Sequence, residues 1–334
     1  MQWGVILESK RLEMKEGIYP RVLVLILSYN GKQWLRDCLP SVLDMEYPNY
    51  EAIVIDNGSS DGTIEFLQDE FPEVRTVSIH PNVGYARGFN AGLEYAAERG
   101  AGYFLIMNND TVIDRGALTA LVETAMTKDR AGFVTGKVYF YDHPEVLQTV
   151  GKQEDPIMWK GKDIGWQEED VGQYEDTTER VFADDVFTLV SRKMYNEVGG
   201  YDPEFFLQCE EWDWQIRAKN KGWRIYYTPY AKLWHRVSAT TGGLGSAMNE
   251  YFLYRNRIVV LGKHGGTTRL VRYLGQVGFE VFRRFVGGVI SFNWTKVRPR
   301  LARLFGFLAG TWWLVRRRPS TGVPWLIRRI SDWQ

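Results

Sequence analysis

Cysteine is nearly absent from this 334-residue chain: Cys38 and Cys209 are the only two. They make no disulfide framework and stand in no metal-ligand spacing, so a reducing compartment is the simpler expectation. The first β-type run leads into "SYNGKQW", which holds one glycine. The G-x-G-x-x-G turn of a nicotinamide-dinucleotide fold is therefore missing, and so is a P-loop. Long apolar runs are missing too. "LFGFLAGTWWLV", Leu304 to Val315, covers 12 residues, against the roughly 20 that a membrane-spanning helix needs. The N-terminal "MQWGVILESKRLEMKEG" carries acids and no long apolar run, unlike a signal peptide.

Net charge is also lacking, with 41 basic and 41 acidic residues, but the balance hides a division. Residues 250–334 hold 16 Lys+Arg against 3 Asp+Glu, so a tail of +13 follows a body of −13. Such asymmetry points the tail toward a polyanionic or membrane partner. No nucleic-acid recognition motif accompanies the charge, so nucleic acid is not expected.

Hydrophobic residues make up 45% of the chain, enough for one sizeable core and an appendage. "RVLVLILSYN" is a continuous β-type run, suited to a strand covered on both faces. The spacing of Trp34, Leu35, Leu39, Val42 and Leu43 predicts a helix after it. Strand patterns recur in "YEAIVID", "VRTVSI" and "YFLIMNND", and helical patterns in "TIEFLQDEF" and "YARGFNAGLEYAAERG". This alternation predicts an α/β fold with a mostly parallel sheet. Residues 142–182 lose the rhythm and read as an irregular or antiparallel insertion. "VFTLVSRKMYNEVGG" then gives a strand and a helix, "EEWDWQIRAKNKGW" a helix, "RIYYTPYAKLWH" a pair of strands, and the tail an amphipathic helical region.

Three predicted strand ends carry polar clusters: Ser28-Tyr29-Asn30, Asp56 through Asp61, and Asn108-Asn109-Asp110. Any one is ordinary turn chemistry. Three at the same end of one sheet mark the place where open α/β folds bind ligands.

With these motifs in place the chain resembles family 2 glycosyltransferases. "VLVLILSYNGKQWLRDCLPSVL", "YEAIVIDNGSSDGT", "PNVGYARGFNAGL" and "NNDTV" are similar to the nucleotide-sugar half. "VGGYDPEFFLQCEEWDWQIRAKNKGWRIYYTPYAKLWH" is similar to the acceptor half. The likeness covers roughly residues 21 to 264 and looks nearest to a rhamnosyltransferase-like branch. It implies a GT-A fold, a UDP- or dTDP-sugar donor, a divalent metal (Mg²⁺ or Mn²⁺) and inversion at the anomeric carbon. The implied layout is an N-terminal extension (1–20), a catalytic domain (21–245, its halves meeting at 115/116) and a basic helical tail (246–334).

The resemblance also assigns roles. Ser28, Tyr29, Asn30, Asp56, Asp61, Gly84, Arg87, Asn90, Asn108 and Asn109 fall where the family holds the nucleotide sugar, with Asp56 accepting from a uracil or thymine N3–H. Asp110 and His235 fall at the metal. The family's Asp-x-Asp has Asn108 at its first position, leaving a single carboxylate. Glu211 stands where the general base is usually Asp, with Asp213 as its support. On helical spacing Glu210 and Asp213 share a face and Glu211 points elsewhere. Asp184, Asp185, Glu210 and Trp212 fall in the sugar and acceptor pocket. Asp184-Asp185 replaces the small residues usual there, and reads equally as a hydroxyl- or amine-binding pair or as a strand cap.

In the tail, Trp294, Trp312, Trp313 and Trp325 among Lys/Arg clusters suit a helix lying on an anionic membrane. A packing or homodimerisation surface accounts for the same pattern. The expectation is a cytoplasmic enzyme, peripheral at the inner face of the cell membrane, that acts on a saccharide or polyprenyl-linked acceptor. A sugar-nucleotide-binding pseudoenzyme and a membrane-associated scaffold are the alternatives.

Overall fold

The computed structural model describes residues 19–155, 161–237, 246–290, 294–317 and 322–331. Most of the expected N-terminal extension lies outside these residues.

Strand β1 (Val22–Ser28) has the alternation that a doubly covered strand requires. Val22, Val24 and Ile26 point into one core, Leu23 and Leu25 into another, and all five are fully buried. Against the first face pack α1 (Lys32–Leu43), through Leu35, Leu39 and Val42, and α4 (Ala117–Thr127), through Leu118, Leu121 and Val122. α3 (Tyr85–Glu98) covers the other with Phe89 and Leu93. The short α2 (Thr63–Glu70) follows β2 (Tyr50–Asp56) and precedes β3 (Arg75–Ser78).

β3, β2, β1 and β4 (Tyr103–Asn108) run parallel, joined by crossover helices. Beyond β4 the ten-stranded sheet becomes mixed. β11 (Phe187–Ser191) runs antiparallel to both β4 and β6 (Ala131–Phe140), and β6 pairs in parallel with β12 (Arg224–His235). On the edge of β12 away from β6, β5 (Thr111–Ile113) and β10 (Thr178–Arg180) both pair antiparallel, β10 with its first half and β5 with its last residues. The expected parallel character thus belongs to the N-terminal half. Where short strands replace crossover helices, the chain returns antiparallel.

The irregular insertion folds as β7 (His143–Thr149) beside β6, and as a separate hairpin of β8 (Lys152–Glu154) and β9 (Gly161–Asp163). "RIYYTPYAKLWH" is one strand of 12 residues with a register shift between Tyr227 and Lys232, rather than a pair.

α5 (Arg192–Val198) and α6 (Glu210–Asn220) follow β11. The C-terminal extension is α7 (Ala247–Val260), a π-helical turn (Leu261–Gly265), α8 (Gly266–Ile290), α9 (Trp294–Arg316) and α10 (Trp325–Ser331). Ile258, Val259, Tyr273, Val277 and Trp313 join the same core as Phe89 and Trp212, so the extension is packed onto the body. Trp313 is buried and is no surface anchor, whereas Trp312 and Trp325 are exposed. The side chain of Trp294 lies outside the described residues.

Candidate active site

The strand order puts β1 between β2 and β4, and register sets Ser28 beside Asp56 and Leu27 beside Asn108. Their carboxyl ends form one rim, at the topological switch point where such sheets bind ligands. Asn109 donates from Nδ2 to Ser28 Oγ at 2.9 Å. A Cβ at Gly31 would collide with that amide, so the close approach requires glycine there. Asn30, in the left-handed region at φ 49°, ties the first two rims together. Its N–H donates to Ser59 Oγ (2.9 Å) and its Oδ1 accepts from Ser60 N–H (2.8 Å). Asp56 is buried, and its Oδ1 has no hydrogen-bond partner.

A cavity of about 610 Å³ opens over this rim. Among its walls are Tyr29, Gly84, Asn108, Asn109, Asp110 and His235, and across from them Asp184, Asp185, Glu210, Glu211 and Trp212. Asp110 and His235, far apart in sequence, meet because Thr111 in β5 pairs with His235 in β12. Asp110 O also accepts from Arg236 N–H at 3.0 Å. The result is Asp110 Oδ1 facing His235 Nε2 at 3.3 Å, both residues buried. Oδ1 makes no hydrogen bond. His235 Nδ1 lies 2.8 Å from Gln148 Oε1.

The acids opposite are crowded around one cation. Lys152 Nζ sits 2.9 Å from Asp184 Oδ2 and 3.7 Å from Asp163 Oδ1. Burial works against ionisation of Asp184, yet Lys152 holds its carboxyl below the usual range. Burial and the nearby Glu211 push Asp185 and Glu210 well above theirs. Burial also raises Glu211, against the pull of Lys152. Tyr201 donates its hydroxyl to Asp185. Carboxyls shifted in different directions and to different extents within one cavity are the kind of division that separates acid from base roles.

Residues 23–199, more than half of the chain, match the family model described as Glycosyl transferase family 2. The chain belongs to this family. It is 28% identical over 226 residues to the poly-beta-1,6-N-acetyl-D-glucosamine synthase of Staphylococcus epidermidis, covering 66% of this chain and 51% of that protein. The Staphylococcus aureus (strain COL) synthase is 26% identical over 227 residues, covering 67% and 52%. The chain thus spans about half the length of the curated relatives it matches. Among solved structures, GalNAc-T7 with UDP, GalNAc and Mn²⁺ superposes at a TM-score of 0.58 and 14% identity, over 73% of this chain and 48% of that one. The mannosyltransferase PcManGT of Pyrobaculum calidifontis, with GDP-Man and Mn²⁺, superposes at 0.55 and 12%, over 93% and 94%. These likenesses show a shared GT-A-type fold. None of these comparisons singles out a rhamnosyltransferase-like branch.

Several expected site residues of this glycosyltransferase-family chain stand outside the cavity. Asp61 accepts from Lys32 N–H (3.1 Å) and Thr63 N–H (3.2 Å), bracing α1 against α2. Asn90 exchanges two hydrogen bonds of 2.8 Å with the Tyr201 backbone. Arg87 is exposed on the first turn of α3. Ser28, Asn30 and Asp56 also stand outside the cavity's lining, at the strand ends beside it.

Asp213 departs most from expectation. It is fully buried behind α6, with Oδ2 2.7 Å from Arg217 Nε and Oδ1 2.8 Å from both Lys263 Nζ and His264 Nε2. α6 points its N-terminus at the cavity, so its first two residues, Glu210 and Glu211, both reach in. The helical-face argument that paired Glu210 with Asp213 fails at a helix end. Sequence reasoning missed Gln148, Lys152 and Asp163 from the insertion and Arg257 from α7, all of which line the cavity. Their segments carry no periodic or motif signal that would single them out.

Proposed function

We propose that this protein transfers a sugar from a UDP- or dTDP-sugar to a saccharide or lipid-linked saccharide acceptor, with inversion, in a reaction that requires Mn²⁺ or Mg²⁺. The observation that carries the reading is the buried pair of Asp110 Oδ1 and His235 Nε2, 3.3 Å apart, in the same cavity as Glu211. A buried carboxylate oxygen without a hydrogen bond, set beside an imidazole nitrogen, suits a shared cation. No cluster of three or more His, Cys, Asp or Glu suited to a metal occurs among the described residues. Two protein ligands still fit a hard cation that takes its other oxygens from phosphates and water. When bound, such a cation neutralises charge developing on the departing diphosphate.

The protein residues supply the rest. Buried Asp56, with its free Oδ1, suits a base N3–H, because a carboxylate only accepts. Tyr29 lines the cavity itself. Glu211 takes the acceptor hydroxyl proton as the oxygen attacks. Asp185 and Glu210, whose carboxyls burial and Glu211 push well up, are suited to hydrogen bonding with sugar hydroxyls. The synthases among the relatives, and the structures with UDP or GDP-Man, are consistent with a nucleoside-diphosphate sugar here.

The extension brings the acceptor. An open apolar groove of about 710 Å³ runs between α9 and α10, walled by Phe305, Leu308, Trp312, Val315 and Leu326. Arg316 and Arg329 stack on the exposed Trp312 and Trp325. Arginines beside exposed indoles suit an anionic lipid surface. No helix among the described residues is long and apolar enough to cross a membrane.

A panel of UDP-, dTDP- and GDP-sugars, assayed for donor hydrolysis and transfer with Mn²⁺, Mg²⁺ or EDTA, tests the reading. Turnover with a uridine or thymidine donor, abolished by EDTA and by His235→Ala, is expected. Nucleotide binding without turnover on any donor would make the protein a pseudoenzyme. Metal-independent turnover would remove Asp110 and His235 from their roles.

A further inference from the structure

Gln148 occupies an irregular position in β7. Register pairs Val138 with Thr149 and Tyr139 with Leu147, so Gln148 is the extra residue of a β-bulge. Bulges beside active sites re-aim side chains, and this one sends Gln148 past β6 to the imidazole of His235 on β12. The contact is 2.8 Å long and both side chains are buried. An amide oxygen only accepts, so Nδ1 carries a proton toward it, which in the neutral ring leaves the lone pair on Nε2. The other face of the ring agrees. There Nε2 lies 3.3 Å from Asp110 Oδ1, a buried oxygen that makes no hydrogen bond.

We propose that Gln148 is a positioning residue that fixes His235 as its Nδ1–H tautomer and turns the Nε2 lone pair toward Asp110. This rests on the reading of His235 as a metal ligand. The chemistry is general: an imidazole ligand has its other nitrogen held by an acceptor, and loss of that acceptor weakens metal binding by about 10- to 100-fold. Without Gln148 the imidazole gains by moving its proton to Nε2 and donating to Asp110, which closes the site.

The test begins on metal-free protein labelled with ¹⁵N-histidine. Four histidines keep the long-range ¹H–¹⁵N spectrum simple, and His235→Gln assigns the signal. In a neutral-ring spectrum, confirmed by the pair of ¹⁵N shifts at alkaline pH, wild-type His235 is expected as the Nδ1–H form. Gln148→Leu should shift it to Nε2–H and weaken Mn²⁺ binding, followed by EPR with and without UDP, by about 10- to 100-fold. Gln148→Glu retains an acceptor and should retain the wild-type tautomer. An Nε2–H signal in the wild type overturns the proposal. So does a Gln148→Leu protein with unchanged tautomer and Mn²⁺ affinity. If Gln148→Leu does not fold, the wild-type and Gln148→Glu spectra decide. Should the tautomer respond as expected while no variant binds Mn²⁺, the metal reading fails and the positioning role stands.

Discussion

At the scale of single residues, Glu211 and Asp213 make a sharp contrast. Both are acids on the first turn of α6, two positions apart. Glu211 lines the cavity, while Asp213 has its oxygens engaged by Arg217, Lys263 and His264. Glu211→Gln is therefore expected to lower kcat by about 10²- to 10⁴-fold, the usual worth of a general base, with KM little changed. Burial raises the Glu211 carboxyl, and a base works only when ionised. Activity should hold above that raised value and fall as pH drops through it, so the acid limb of kcat/KM lies above the ordinary glutamate range. Steady-state kinetics across pH check both points. Near-normal kcat in Glu211→Gln would reject Glu211 as the base.

At the scale of elements, the C-terminal extension grips the helix that carries Glu211. Asn256 of α7 donates from Nδ2 to the carbonyls of Leu207 and Gln208, 2.8 Å each, just where the chain enters α6. Gln208 and Cys209 there both have positive φ, 72° and 70°, an uncommon backbone state that surrounding contacts must hold. Arg255 pairs with Glu204 in the same loop. The π-helical turn then delivers Lys263 and His264 to Asp213. Asp213→Asn leaves several cations around a neutral amide, a loss of about 3 kcal/mol for a broken buried pair. Chemical denaturation should show it, with turnover per folded molecule far less affected than in Glu211→Gln. The sign with pH follows from the depressed Asp213 carboxyl. Its stabilisation is present above the unfolded value, about 3.9, and is lost as pH falls toward the lower native one. The mutant should therefore be least distinguishable from wild type in strong acid.

This element scale also separates what the sequence announces from what it conceals. The parallel half was legible because continuous apolar runs and 3.6-residue spacing are local signals, as in Val22–Ser28 and its helix. The strand-end rims were legible because turn chemistry interrupts apolar runs at Asn108 and Asp56. The junction of Asp110 with His235 is a property of strand pairing, and came only through family likeness. Gln148 and Lys152 lie in a segment without periodicity, where a bulge and a hairpin decide what faces inward. Asp213 was misplaced because helical spacing describes the sides of a helix and says little about its end.

At the scale of the whole molecule, charge is divided between an acidic body and a basic tail, yet the tail shares the body's core through Val259, Tyr273 and Trp313. The tail's buried side fastens it to the helix that carries Glu211, and its outer side is free to meet something else. That outer side exposes Leu308, Trp312, Val315 and Trp325, with Arg316 and Arg329 stacked against two of the indoles. An anionic bilayer matches both features, and co-sedimentation with vesicles tests it. Binding to phosphatidylglycerol-containing vesicles at low salt is expected, with little binding to neutral phosphatidylcholine. Each surface arginine contributes about 1 kcal/mol at an anionic surface, so Arg316→Gln with Arg329→Gln should weaken binding by roughly tenfold or more. Raising the salt should produce a similar loss, because exposed charges are screened beyond about 10 Å at 0.1 M. Trp312→Ser should weaken binding at every salt concentration, since its contribution is apolar. Absence of binding to anionic vesicles at low salt, with a dimer in solution that Trp312→Ser dissociates, would instead assign this face to a second copy of the chain.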